Sequence, residues 1–169
     1  IAFAEAVRAV VPARARTTHW QQLLGTVVHL APGLGTAAEP ALRRVVALLR
    51  RRGLVVFISD LLLERELTLR ALKFLRHRGH QVMVLHVMDP RELALAGPAE
   101  ARFEDPETRI GVTLRPKDWA EAYRETVTGV VSAWRRACRG SGIQYHHITT
   151  ETPFGLALRR VLARPTGPA

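Results

Sequence analysis

Leu54-Val55-Val56-Phe57-Ile58-Ser59 carries no polar residue before its last position, and Asp60 follows at once. A strand without polar alternation is apolar on both faces, and that pattern belongs to a parallel sheet buried between two helical layers. In such sheets ligands bind at the carboxyl ends of the strands. Asp60 therefore stands where an α/β protein puts a working residue. The preceding Arg50-Arg51-Arg52-Gly53 reads as a helix end, with cations at the negative terminus and a glycine to stop it.

Strand and helix patterns alternate around this run. Residues 1–4 and 7–11 read as short strands joined by a tight Glu5-Ala6 turn. Thr18 with Gln21, and Thr36 with Glu39, have the spacing of capping boxes. They open helices over residues 18–30 and 36–52, and Leu42, Val45, Val46 and Leu49 line one face of the second. Leu67, Ala71, Phe74 and Leu75 mark a third helix, closed by Arg76-His77-Arg78-Gly79. Residues 81–88 form the next buried strand, which Asp89-Pro90 stops. Residues 101–104 and 109–114 flank Asp105-Pro106-Glu107-Thr108, the turn of a small inserted hairpin. A long helix over 117–139 puts Tyr123, Val127, Val130, Trp134 and Ala137 on one stripe; a strand over 143–149 and a helix over 153–163 follow. The expected fold is α/β: a doubly wound, mostly parallel sheet with helices on both faces. One domain spans 1–164, and residues 165–169 read as a disordered tail.

At 169 residues the chain suits a single domain that buries roughly 70% of its unfolded surface. No apolar run approaches the roughly 20 residues of a membrane span, and no signal-peptide pattern opens the chain. The lone Cys138 excludes an internal disulfide and reads as packing on a helix. A net charge of +10 and a pI near 11.3 raise nucleic acid or an anionic membrane face as partners. Against that, the cations are almost all arginine and lie scattered along helices beside Glu and Ala, and no nucleic-acid-binding motif is present. A solvated, arginine-biased surface is the better reading, and no nucleic-acid partner is expected. The chain opens directly on a strand, Ile1-Ala2-Phe3-Ala4, which points to a fragment of something longer.

Several catalytic signatures are missing: the phosphate-binding loop, the Gly-x-Ser-x-Gly elbow and Cys-x-x-Cys. Gly33-Leu34-Gly35 lacks a third glycine and a preceding strand, so it is no dinucleotide fingerprint. His146 and His147 are neighbours on a strand and point to opposite faces, which disfavours a shared metal. His77 and His80 straddle a helix-ending glycine, and His77 is better placed to stabilise that helix terminus. Thr36 and Asp60 remain. A hard cation such as Mg²⁺ takes oxygen ligands, and a Thr hydroxyl with a strand-end Asp would supply part of its shell. Spacing alone favours plainer roles, with both residues capping helices.

The matching blocks are Phe3 through Pro12, Gly35-Thr36 before the Ala41-Leu42 helix, and the run from Gly53 to Asp60. Further on come His77 through Val82, His86 through Pro90, Arg102 through Thr108, and the C-terminal segments with Tyr123, Cys138, Gly142-Ile143 and Thr152-Pro153-Phe154. In this order, and over nearly the whole chain, they resemble the von Willebrand factor A-like domain. The closer likeness is to the C-terminal half of the bacterial "domain of unknown function 58" family, associated with MoxR-type ATPases. The resemblance implies a binding module rather than an enzyme, with a metal-ion-dependent adhesion site on three loops: an Asp-x-Ser-x-Ser turn, a Thr and an Asp. Thr36 matches the second loop and Asp60 the third, while Leu61 stands where many A domains have Gly. The first loop is absent, because none of Asp60, Asp89, Asp105 and Asp118 begins Asp-x-Ser-x-Ser.

With that loop goes the strand that should carry it, central in the doubly wound order between the strands beginning at Ile1 and Leu54. The expectation is therefore a partial domain that binds Mg²⁺ weakly or not at all by itself, with an open strand edge able to drive homodimerisation. Its role would be that of a cytoplasmic protein-interaction domain working with a MoxR-type AAA+ ATPase, the longer parent being free to carry a membrane anchor upstream. The rival readings are an α/β enzyme or nucleotide binder, with Glu64 or Asp89 assisting Asp60, and a nucleic-acid binder by charge alone.

Overall fold

The computed structural model describes residues 1–14, 16, 18–31, 39–105, 109–153, 155, 156 and 159. Thr36 with its capping box, Gly33-Leu34-Gly35, the tip of the inserted hairpin, most of the last helix and the tail lie outside the described residues.

Among the described residues the elements follow in the order β1 (Ala2–Phe3), β2 (Val7–Ala9), α1 (His19–Val28), α2 (Glu39–Leu48), β3 (Leu54–Ser59), α3 (Arg65–His77), β4 (Gln81–Met88), β5 (Ala101–Glu104), β6 (Gly111–Leu114), α4 (Pro116–Arg139) and β7 (Gln144–Thr149). A short 3-10 turn, Pro90–Glu92, follows β4. β3, β4 and β7 form a parallel sheet in that order, with Leu54 opposite Gln81 and Met83 opposite Gln144. β1–β2 and β5–β6 are separate antiparallel pairs. The α/β class, the parallel sheet flanked by helices and the inserted hairpin all follow the sequence reading.

Partners in a parallel ladder share a face, so the register sorts the side chains. Val55, Phe57, Val82, Val84 and Tyr145 lie on one face with His86 and His147. Leu69, Leu72 and Leu75 of α3 and Trp134 and Cys138 of α4 pack there with Phe57, Val82 and Val84 into one core. Burying a side chain such as Leu72 stabilises the fold by about 1.5–3 kcal/mol. Helix α3 is set at both ends. The Glu64 carboxylate accepts from the Glu66 and Leu67 amides at 2.9 and 2.7 Å, and Arg76 and His77 occupy the negative last turn. Gly79, at φ 87°, then turns the chain into β4.

Four local expectations need correcting. The strand expected to be covered on both faces is covered on one: Leu54, Val56 and Ile58 are 55%, 42% and 63% exposed. The reason is position, because among the described residues β3 pairs only with β4 and is a sheet edge. Thr18 precedes α1 in a helical conformation and its hydroxyl makes no capping bond, so the capping box is not formed. Helix α2 ends at Leu48, before Gly53, leaving Arg50, Arg51 and Arg52 beyond its last turn. On α4 the buried position is Val131 rather than Val130, which is exposed.

Helix α1 presents Trp20, Leu23, Leu24, Val27 and Val28 to solvent at i, i+3, i+4, i+7 and i+8. A cavity of about 400 Å³ separates Ile1, Ala2, Phe3 and Ala4 from Ile58, Ser59 and Asp60, with Val27 and Leu30 of α1 beside it. Phe3 and Phe57 bridge this gap, their ring centroids 6.0 Å apart.

Candidate functional site

Asp60 is the first residue after β3, exposed at the carboxyl end of the sheet. A compact turn fixes it. The Ser59 hydroxyl accepts from the Leu61 amide at 3.0 Å and donates to Asp60 Oδ1 at 3.3 Å; Asp60 Oδ1 also accepts from the Leu62 amide at 3.2 Å. Asp60 thus caps its own turn, and Glu64 caps the helix that follows. Leu61 adopts φ 58°, the left-handed region that glycine enters freely and leucine only at about 1–2 kcal/mol. Its side chain, 3% exposed, is anchored in the core, which holds the backbone there.

Behind Asp60 lies a polar cluster, His86 buried and Tyr145 and His147 half-buried, that sequence reasoning did not assemble. His86 and His147 face each other across β4 and β7, ring centroids 5.3 Å apart. The Tyr145 hydroxyl is 2.6 Å from His86 Nδ1. Burial, and then the neighbouring His147, push His86 below the usual imidazole range. Burial, then Arg135, does the same to His147. Burial also pushes the Tyr145 phenol up to about 12. These shifts favour the neutral forms of both imidazoles and of the phenol at pH 7. His146 falls on the opposite face, as the alternation required. The missing signal was register: only the pairing of β4 with β7 brings His86 to His147.

The acids proposed as partners of Asp60 have other work. Asp89 accepts from the Arg91 amide at 2.9 Å and from the Thr150 hydroxyl at 3.2 Å, while its own amide donates to Glu92 at 3.0 Å. Glu64 is committed to α3, and its two amide donors, Leu67 before Glu66, hold its carboxyl below the ordinary range. Cys138 is buried in the core, where burial pushes its thiol up to about 11. Its part is packing.

Among the described residues no group of three or more His, Cys, Asp or Glu is arranged to hold a metal ion. Asp60 contributes one carboxylate, Thr36 lies outside the described residues, and the chain has no Asp-x-Ser-x-Ser turn. Asp60 by itself supplies a small part of an octahedral oxygen shell. Asp60 does line two cavities, the gap toward β1 and one of about 250 Å³ between the ends of β3 and β4 and helix α4. Among the described residues no helix is long and apolar enough to cross a membrane.

A family of proteins of unknown function, DUF58, matches residues 1–131 of the 169. The chain belongs to the DUF58 family. The DUF58 match takes in Asp60, His86 and every residue lining the 250 Å³ cavity, and it stops before Tyr145 and His147. Neither a curated protein nor a solved structure matches the chain.

Proposed function

We propose that this DUF58 chain is a non-enzymatic protein-interaction domain of the von Willebrand factor A-like kind, working with a MoxR-type AAA+ ATPase in complex assembly or maturation. The observation that carries the reading is Asp60: exposed on a rigid turn at the carboxyl end of a parallel sheet, beside an open strand edge. That is a place for capture, since the rim offers a fixed carboxylate between two cavities. Glu64 and Asp89, the acids an α/β enzyme reading would pair with Asp60, are engaged in caps, which favours the interaction-domain reading. In this reading an adhesion-site cation is bound weakly or not at all by the chain alone. Thr36 and Asp60 are its ligands in this reading, and the open β3 edge is a route to self-pairing.

The test is co-purification of the ATPase with the chain from nuclease-treated lysate of a host expressing both. Capture is expected, with Asp60→Ala reducing it at least tenfold while leaving the fold intact. Capture that is absent, or equal for the two proteins, would refute the proposal. Capture abolished by nuclease would favour the nucleic-acid reading instead.

A further inference from the structure

The cavity between the strand ends and α4 has a floor and a rim of different chemistry. Leu61, Met88, Val127 and Val131 give it apolar walls. Asp60 and Glu92 bring two carboxylates, and Tyr123 and Thr126 bring hydroxyls. Tyr123 is held in place by donating to the Glu92 carbonyl at 3.0 Å. Glu92 is in turn held by the Asp89 amide. Both carboxylates are fixed by amide hydrogen bonds, and among the described residues neither forms a salt bridge. Their field reaches the buried end of the cavity. Burial holds His86 low, but Asp60 and Glu92 each act on it in the opposite sense, favouring positive charge.

Size narrows the occupant. At about 250 Å³ the space falls below the roughly 300–1,000 Å³ of sites that enclose drug-sized ligands and cofactors. It suits one long side chain. Two exposed apolar residues of the lining, Leu62 at 71% and Val130 at 46%, flank it, and a surface laid over them would dry its mouth as an interface ring does around an anchor. Lysine and arginine have an apolar stem and a cationic head, which is the pattern these walls and carboxylates complement.

We infer that this cavity receives a lysine or arginine side chain of a protein partner, stem on Leu61, Met88, Val127 and Val131, head toward Asp60 and Glu92. The inference rests on the interaction-domain reading and adds to it the chemistry that the partner presents. Arginine, with its planar fork of donors, is the stronger anchor where two carboxylates are within reach.

The test is an amide-resolved NMR titration of the 169-residue chain with a capped tripeptide, Gly-Arg-Gly, against the same peptide carrying citrulline or norleucine. Citrulline keeps the shape and loses the charge; norleucine keeps only the stem. The arginine peptide is expected to saturate at about millimolar affinity, a level one anchored side chain can supply. Its shifts should centre on the amides of Leu61, Leu62, Val127 and Val131, with citrulline at least tenfold weaker. The double variant Asp60→Asn with Glu92→Gln keeps the turn and cap acceptors and should lose at least tenfold in affinity. Equal binding of citrulline, shifts centred elsewhere, no saturable binding, or an unaffected double variant would each overturn the inference. No ATPase is present, so failed ATPase capture with intact peptide binding counts against that partnership alone. Lost peptide binding with intact capture counts against the cavity alone.

Discussion

At the scale of the residue, Leu61 is the informative position. Its neighbour Asp60 was legible as a strand-end acid, because an apolar run followed by a carboxylate says where the sheet ends. That Leu61 takes a left-handed backbone was not legible, since nothing in a leucine signals φ 58°. The core explains it: a leucine 3% exposed gains more from burial than the backbone loses. An unusual ordering of variants follows. Leu61→Ala keeps the backbone cost and loses the buried side chain, and should destabilise by about 2–5 kcal/mol. Leu61→Gly loses the same side chain but frees the backbone, so it should be about 1 kcal/mol more stable than the alanine variant. Urea unfolding of the two proteins measures this. Alanine equal to or above glycine would mean that the turn is not left-handed in solution.

At the scale of the element, periodicity located the helices and strands to within a few residues, because alternation and the i, i+3, i+4 stripe report burial directly. Caps were read less well. The capping-box spacing at Thr18 and Gln21 produced no bond, whereas Glu64, which no motif flagged, caps α3 with two amides. A spacing rule gives the opportunity for a bond; the conformation of the preceding residue decides. Because the Glu64 carboxyl is held below its ordinary 4.5, its contribution is present above that pH and is lost as pH falls through the folded value. Glu64→Ala should therefore lower the melting temperature at neutral pH, with the gap to wild type closing under acid. A gap independent of pH would exclude the charged cap.

His86 and His147 add to the same loss of stability toward acid, at a higher pH. Both are held below 6.5, so the folded form resists protonation and stability is lost as pH falls below 6.5. Denaturant midpoints should decline from that pH downward, and His147→Asn should flatten the decline. An unchanged slope would place the imidazoles in water. The pairing itself was hidden from sequence, since register between β4 and β7 comes from tertiary packing and not from either strand.

At the scale of the whole molecule, a set of neighbouring surfaces stands open around the β3 edge. The β3 edge is unpaired among the described residues, one β3 face is exposed, the α1 stripe faces solvent, and a gap of about 400 Å³ stands between β1 and β3. The buried-on-both-faces reading of β3 erred because an apolar run reports burial propensity and not position in the sheet, and among the described residues β3 is an edge. The isolated chain should consequently self-associate with concentration in sedimentation velocity, and Val56→Lys, a charge on the exposed edge strand, should suppress this. Monomeric wild type at high concentration would count against the open edge.

The rim claim is tested most directly by the affinity of the 169-residue chain for the purified ATPase, measured by interferometry alongside melting temperature, for wild type and Asp60→Asn. Asparagine still accepts from the Leu62 amide, so the turn survives and only the charge goes. The account predicts at least tenfold weaker binding with an unchanged melting temperature. Equal affinity for the two proteins would contradict it.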